Sequence, residues 1–441
     1  MAVTLAAGLL LSACATYMPA PLGDGQGVAS VMQLTAPVAA MPGLALPEHR
    51  FDPSDGLDVT EVAMLAVVNS PALKLKRDEL GIARAQAFAA GLLPDPQLTF
   101  GKDYLTHPGP GLSSAYNLGL SEDVTALLTR SSRRAAASNQ AEQVNLDLLW
   151  AEWQSVAQAR LLFDQVQTLR AQQARLRIEQ AALAPLESAI HAALRAGNLT
   201  YDTASAGLNA GADVRKRLAD TSVTLHQAES DLHVLLGLAP NAPLDLVGAP
   251  YQASATPEQV QQALTDLPRR RPDLLALQAG YQSQEAQLRA AVLAQFPALN
   301  IGFYKARDTT DVPTRGFSIG ITLPLFDRNR GNIAIAKATR QQLKDDYEAR
   351  VLDTRSDMQR LVADLSTLQQ QRAALVAHAQ QLDAACRAAE AGWQQGLLRW
   401  HHRGHRDLTR WRRSIVVIGG AMVAAGQHTE QQQAAQFGQR D

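Results

Sequence analysis

Four short segments of the sequence alternate apolar with small or polar side chains. The clearest runs from Phe317 to Leu325, where every second residue is apolar and the residues between are Ser, Gly, Thr and Pro. A second lies at 298–304, and two shorter ones lie near 97–100 and 116–121. A period of two indicates a β-strand with an apolar environment on one face and water on the other. The apolar face would contact a protein core, or lipid if the strands enter a membrane. The residues that we predict to face lipid in that case are Leu98, Phe100, Leu118, Leu120, Leu299, Ile301, Phe317, Ile319 and Ile321.

Helical periodicity occupies most of the remaining chain. Amphipathic segments at about 59–92 and 257–294 each give way at a proline to a pair of strands. A helix from about Arg130 to Ala196 would span roughly 100 Å, so it must project from any globular body. Gly197 and Asn198 end it, and residues 201–236 are predicted to return antiparallel to it. Coiled-coil spacing marks two seams: Ala159, Leu162, Val166, Leu169 and Leu176 in the first half, and Thr354, Met358, Leu361, Leu365, Leu368, Arg372, Leu375, Ala379, Leu382 and Cys386 in the second.

The two halves of the chain repeat each other at a constant offset of 201 residues. Pro71 matches Pro272 and Gly119 matches Gly320, and the correspondence holds without a gap across about fifty residues. Each half has the same order of an amphipathic helix, two strands and a long helix. We therefore assign residues 58–250 to a first repeat and 251–398 to a second.

The predicted fold is mainly α with a small β part, made of long antiparallel helical hairpins and four strands per chain. Four strands cannot close into a barrel, and in lipid an open sheet leaves edge groups unpaired at several kcal/mol each. If the strands enter a membrane, several copies must complete one barrel. A small sheet packed on helices in water remains the alternative.

Composition removes several classes of function. The 441 residues include 41 basic and 42 acidic side chains, and a formal net charge of −1 gives no electrostatic footprint for nucleic acid. Two cysteines are too few for a disulfide framework or a four-thiolate zinc site, and we expect Cys386 to be a buried hydrophobe on its seam. No run reaches the roughly 18 to 20 apolar residues of a membrane-spanning helix. No catalytic or cofactor motif occurs in a suitable context, so we expect no enzyme activity, no cofactor and no metal.

The first residues have the character of an export signal. Residues 1–13 form a short apolar core that ends in Leu11-Ser12-Ala13-Cys14. This string resembles the bacterial lipobox, which implies cleavage before Cys14 and lipidation of its thiol, with palmitate among the acyl chains. A chance cysteine after an apolar run is the alternative. No Lys or Arg precedes the core, so we expect the true start codon upstream of Met1. Residues 14–57 are rich in proline and are predicted to be an extended, lipid-anchored segment.

Lipobox, tandem repeat, paired strands and helical hairpins together resemble the outer-membrane efflux proteins of the TolC family. The strings Leu92-Leu93-Pro94-Asp95-Pro96 and Leu323-Pro324-Leu325-Phe326-Asp327-Arg328-Asn329-Arg330-Gly331 are similar to family phrases before the first strand and after the fourth. The resemblance covers about 58–396 and is strongest to the lipoprotein branch that works with resistance-nodulation-division pumps, including heavy-metal systems. It implies a homotrimer in the outer membrane, with a twelve-stranded transmembrane β-barrel and an α-helical tunnel in the periplasm.

The resemblance also implies two protein partners, a periplasmic adaptor at the hairpin tip and an inner-membrane pump. The family places a glycine and then an aspartate at the tip, and Gly197 and Asp202 are the matching positions. A purely structural role is equally plausible for both, with Gly197 at a helix C-cap and Asp202 at a helix N-cap. The corresponding second tip falls at Gly396.

After Leu398 the composition changes abruptly, where the repeat predicts a returning helix. Residues 399–413 hold six arginines, three histidines and two tryptophans. A basic patch for nucleic acid or anionic lipid is one interpretation, and a metal site at His401 and His405 is another. We favour a frameshift in the gene near Leu398, which makes 399–441 an atypical C-terminus.

These observations predict an outer-membrane channel of a tripartite efflux system that exports small molecules or metal ions. A periplasmic coiled-coil structural or adaptor lipoprotein is the first alternative, but it leaves the four strands unexplained. A channel for protein secretion is the second, since the same fold serves it.

Overall fold

The computed structural model describes residues 17–36 (apart from 24 and 26), 51–107, 109–248 and 257–394. Within them, seven α-helices and four strands follow one another along the chain. The helices are α1 (Val59–Asn69), α2 (Pro71–Gly91), α3 (Val124–Arg195), α4 (Tyr201–Leu236), α5 (Pro257–Arg270), α6 (Pro272–Leu293) and α7 (Arg330–Gln394). The strands are β1 (Gln97–Asp103), β2 (Ala115–Asp123), β3 (Ala298–Arg307) and β4 (Pro313–Thr322).

Prolines divide both amphipathic segments that the sequence predicts as single helices. Ser70 has φ −55° and ψ 123°, and Arg271 has φ −79° and ψ 120°, so neither residue is helical. Each precedes a proline, whose ring disfavours the helical conformation of the residue before it. Pro71 and Pro272 therefore end one helix and occupy the first turn of the next, at matching positions of the two repeats.

The four strands form one antiparallel sheet in the order β1-β2-β3-β4. Strand β4 begins at Pro313 and ends at Thr322, so the predicted span of 317–325 is shifted. Leu323 and Leu325 lie beyond the strand because Pro324 has no N–H group to donate to the ladder. In the β3–β4 hairpin the Asp308 carboxylate accepts hydrogen bonds from the Val312 and Thr310 amides, which lower the pKa of that carboxyl.

Helix α3 has 72 residues and spans about 110 Å. It begins at Val124, earlier than predicted, because the Asp123 carboxylate accepts hydrogen bonds from the Thr125 and Ala126 amides and caps it. Helix α4 returns beside it with the predicted bounds, and an ion pair of 2.7 Å joins Arg170 to Glu229. All five residues of the predicted first seam are buried.

The main core surrounds α1. Residues Val62 to Val67 are completely buried, which is typical of a helix covered on every side. The residues that cover α1 come from the N-terminal segment around Val31, from the middle of α3, and from the end of α4 with the loop that follows it. Arg77 of α2 donates hydrogen bonds to the last carbonyls of α1 and pairs with Glu152 of α3 at 3.0 Å.

The second half has a smaller core. Thr354, Met358 and Leu361 of α7 are buried, and Leu264 and Leu365 pack around the last two. Further along the predicted seam, Leu375 and Leu382 are only half buried. The segment that the repeat makes the counterpart of α4 begins beyond residue 394 and lies outside the described residues.

The chain turns sharply after α4 at Gly237, and this turn provides a stability test. Gly237 has φ +69°, and a Cβ atom there would lie 2.9 Å from the carbonyl oxygen of Asn69. We expect Gly237→Ala to destabilise the fold by about 2 kcal/mol, because an L-residue is strained at positive φ and the obstacle is backbone. The thermal unfolding midpoint, followed by circular dichroism, should fall.

Gly81→Ala is the matched control. Gly81 lies within α2, where a Cβ atom would have no neighbouring atom within 4 Å, so alanine there should stabilise the helix by about 0.5 to 1 kcal/mol. Equal midpoints for the two variants would contradict the role assigned to the Gly237 turn.

Candidate functional site

The register of the sheet puts all nine residues of the predicted lipid-facing set on one face. Residues directly opposite each other in an antiparallel pair point to the same side. Leu98 lies opposite Leu120, which lies opposite Phe303 on the next strand. Leu299 on that strand lies opposite Ile321. The alternation seen along each segment therefore combines into one continuous apolar face, which we call the outer face.

This outer face is largely uncovered. Leu98 and Phe100 are each 71% exposed, Phe317 is 69% exposed, and only Leu299 and Ile301 are half buried. Contiguous apolar surface of this kind marks contact with a membrane or another protein. Within the described residues most of this face is uncovered.

The other face of the sheet carries small or polar side chains. Asn117, Ser121, Asn300 and Ser318 lie there, interleaved with glycines. The strands pack closely at Gly302, since a Cβ atom there would lie 2.7 Å from the Ser318 hydroxyl. Side chains of this kind suit a surface in contact with water.

The segment that follows β4, residues 323–329, turns the chain from the sheet into α7. Arg328 and Asn329 have φ +50° and +53°, in the left-handed region. The Asn329 side-chain amide donates to the carbonyl of Ala291 at 2.8 Å, near the end of α6. In the first half, Arg130 donates to the carbonyl of Gly91 at the end of α2. Both contacts tie the start of a long helix to the end of a shorter one.

The tip of the α3–α4 hairpin contains both residues of the predicted partner contact. Gly197 has φ +70°, and its amide donates to Leu194 while the Asn198 amide donates to Ala193. This pair of bonds is the Schellman arrangement that ends a helix. Gly197 is therefore the C-terminal turn residue, as the sequence indicates, and it is exposed.

Asp202 is not the N-cap of α4, and that interpretation of the sequence is wrong. Thr200 is the N-cap, with its hydroxyl oxygen accepting a hydrogen bond from the Thr203 amide at 3.4 Å. Thr200 has extended backbone angles, whereas Asp202 is the second residue of the helix and is exposed. The Asp202 carboxylate is thus not needed as a cap and points from an exposed tip.

Charged groups inside the helical body hold helices together. The buried Arg271 and Asp273 side chains pair at 2.7 Å, and the guanidinium lies 4.6 Å from the centre of the Trp150 ring. Arg350 of α7 reaches Asp273 at 3.2 Å. Burial raises the pKa of Asp147, with Lys76 opposing and Asp273 adding to the shift. Burial likewise raises the pKa of Glu179, against the lowering effect of Arg217.

Among the described residues, no cluster of three His, Cys, Asp or Glu side chains is arranged to hold a metal ion. The described helices include none with the length and apolar character needed to cross a bilayer. Several sequence predictions fall outside the described residues: the signal at 1–13, Cys14, Gly396, and the 399–441 segment with His401 and His405. The burial of Cys386 stays a prediction.

Comparisons with known proteins agree with this architecture. Residues 261–399 match the family model described as outer membrane efflux protein. The chain is 23% identical over 355 residues to the multidrug resistance outer membrane protein MdtQ of Escherichia coli O6:H1, covering 70% of this chain and 71% of MdtQ. It is 25% identical over 409 residues to the pyoverdine export outer membrane protein OpmQ of Pseudomonas aeruginosa, covering 83% and 82%.

The fold has a counterpart among solved structures. The outer membrane protein VceC of Vibrio cholerae superposes with a TM-score of 0.66 at 15% identity, covering 86% of this chain and 95% of that one. The mostly helical chain with a small antiparallel sheet thus has the fold of that membrane protein. The family model that matches over 261–399 thus agrees with the fold, and the chain is similar to outer membrane efflux proteins.

Proposed function

We propose that this chain is the outer-membrane channel of a tripartite efflux system. Three copies assemble so that their sheets form one twelve-stranded barrel, with the outer face in lipid. The helical hairpins continue the conduit into the periplasm, where a periplasmic adaptor protein binds the tip and an inner-membrane pump supplies the energy. Cys14 carries the lipid that anchors the N-terminal segment.

The observation that carries this proposal is an open sheet with an exposed apolar face. In the described structure, β1 and β4 each pair with a strand on one side only. Their outer N–H and C=O groups would cost several kcal/mol each if left unpaired in hydrocarbon. Pairing β4 of one copy with β1 of the next satisfies both edges. Three copies of four strands exceed the roughly eight strands that a barrel interior filled by side chains needs, so a water-filled lumen remains.

The sheet also discriminates between this function and a periplasmic coiled-coil lipoprotein. A coiled coil needs the seams of α3 and α7 but has no use for an exposed apolar sheet face. The face opposite the outer face, which we call the inner face, is uncharged over most of its area, and this suits a lumen that selects little among solutes. Family and fold are those of outer-membrane channels, and transport by such a conduit needs no catalytic residue.

The cargo we propose is small molecules or metal ions. Relatives named for multidrug resistance and for pyoverdine export support small solutes over proteins. Export assays against a panel of drugs, siderophores and metal salts, in a strain lacking the gene, would identify the class. Secretion of a protein alone, with no change in sensitivity to any small solute, would favour the secretion channel instead.

A charge on the outer face tests the lipid contact. Ile319 lies opposite Ile301 in the middle of that face. We expect Ile319→Arg to lower the amount of trimer in the outer membrane, because arginine on a lipid-facing strand costs about 2 to 4 kcal/mol near the bilayer midplane. Detergent-extracted trimer from the outer-membrane fraction is the measurement.

Ser318→Arg is the control on the adjacent residue, which points to the inner face. It should leave the trimer yield close to wild type, since its charge faces water. A normal yield for Ile319→Arg, or an equal loss for both variants, would count against a lipid-facing outer face.

Variants at the tip separate partner contact from helix capping. Asp202→Asn keeps the shape of the side chain and removes its charge, and we expect it to weaken adaptor binding while changing stability by less than about 1 kcal/mol. Thr200→Ala removes the observed cap and should cost roughly 1 kcal/mol of stability. Binding of the purified adaptor and thermal unfolding should be measured on both variants.

The contrast between the two readouts decides the role of Asp202. Unchanged adaptor affinity in Asp202→Asn would remove Asp202 from the contact. A fall in stability equal to that of Thr200→Ala would make its role structural.

A further inference from the structure

Basic side chains gather at one end of the outer face. Lys102, Lys305, Arg307 and Arg315 all share the face with the apolar set, because the register alternates by two residues from each of them to an apolar neighbour. Lys305 lies opposite Leu118 on one side and Arg315 on the other. Together these four residues form what we call the basic row.

The basic row lies at the end of the sheet that is far from the helices. Lys102 precedes the β1–β2 connection, and Arg307 and Arg315 flank the β3–β4 hairpin. Arg315 comes two residues from Phe317, which places it about 7 Å beyond the apolar part of the face. The headgroup layer on each side of a bilayer has a similar thickness, so Arg315 would reach it when Phe317 lies in hydrocarbon.

Basic and acidic residues of the sheet lie on different faces or at different ends of the strands. Over the four strands the inner face has no Lys or Arg, while its acidic residues are Asp103 and Asp123. The outer face has one carboxylate within its strands, Glu122, which lies about 20 Å along β2 from the basic end. A general need for solubility would not separate the charges in this way.

Two cations of the row face each other without compensation. Lys305 and Arg315 are directly opposite, an arrangement that destabilises a sheet when the charges are alike. Both are exposed, and within the described part of the chain no carboxylate pairs with either. Arg307 differs, since it pairs with Asp311 at 3.0 Å. An external anion held between Lys305 and Arg315 would turn their repulsion into attraction.

We propose that the basic row is a binding site for the phosphate groups of an anionic membrane lipid in the leaflet away from the helices. The inference rests on the proposed function, since it requires the outer face to be in a bilayer. Arginine offers the planar donor pair that matches a phosphate, and lysine adds a point charge. The acyl chains of the same lipid lie on Phe303 and Phe317, directly below.

The test uses full-length trimer in two kinds of nanodisc, one of pure phosphatidylcholine and one in which every fifth lipid is phosphatidylglycerol. Native mass spectrometry counts the phosphatidylglycerol molecules that stay bound to the trimer after the trimer is released from the nanodisc. We expect the wild type to retain it selectively, and Lys305→Gln/Arg315→Gln to lose affinity by about fivefold for each cation removed. Lys74→Gln/Lys337→Gln removes the same charge from exposed helical positions and should keep the selectivity.

A charge-conserving exchange guards against a folding defect. Lys305→Arg/Arg315→Lys should retain the lipid, and in neutral detergent Lys305→Gln should unfold no lower than wild type because it relieves repulsion. Equal retention of phosphatidylglycerol by the wild type and the glutamine double variant would overturn the proposal. Displacement of the lipid by inorganic phosphate alone at equal concentration would assign the site to a free anion and overturn it as well.

These outcomes are separate from failure of the proposed function. If the outer face does not enter a bilayer, the wild type will not enter nanodiscs of either composition. Entry into both without selectivity overturns only the basic row.

Discussion

Unpaired backbone groups on two sheet edges constrain everything else in this molecule. Within the described chain, β1 and β4 each pair with a neighbouring strand along one edge only, and the outer face of the sheet between them is apolar and exposed. In water such a sheet invites aggregation, and in lipid it is unstable unless its edges are satisfied. Copies joined edge to edge remove both problems together. The assembly that we propose is thus the condition under which this sequence has a stable sheet.

The internal repeat provides a simple way to meet that condition. Each half contributes one hairpin and one long helix, and β1 and α2 of the first half begin at positions that match the starts of β3 and α6 in the second. Because α3 and α7 begin close to the ends of β2 and β4, the positions of these strands determine where the long helices start. Asn329 and Arg130 fasten these junctions to the preceding helices. If the strands close into the ring that we propose, the helices below them must form a ring as well.

Elements that depend on local periodicity can be predicted from the sequence. The outer face, the first seam and the bounds of α4 follow from side-chain spacing alone, and the structure contains them. The breaks at Ser70 and Arg271 depend instead on the effect of proline on the preceding residue, a signal that side-chain spacing does not contain. The capping role of Thr200 depends on backbone angles at a tight turn, and the residue pattern that suggested Asp202 as the cap does not contain them. The basic row depends on the register between strands, which puts Lys305 opposite Arg315 and beside Leu118 and which no single segment encodes.

Charged side chains have different roles in the helical body and at the exposed ends of the molecule. Inside the helical body, Arg77 and Arg170 each pair with a carboxylate of another helix. The buried Arg271 pairs with Asp273 two residues later and lies over the Trp150 ring of α3. Desolvation raises the pKa of Asp147 and of the buried Glu179, and each has neighbouring charges of both signs. At the tip and on the outer face, by contrast, Asp202, Lys305 and Arg315 are exposed, and Asp202 has only the favourable position of an acidic side chain in the first turn of α4. These exposed charges are available to a partner, and in the assembly that we propose they lie at the two ends of the conduit, one facing an adaptor protein and the other a lipid headgroup.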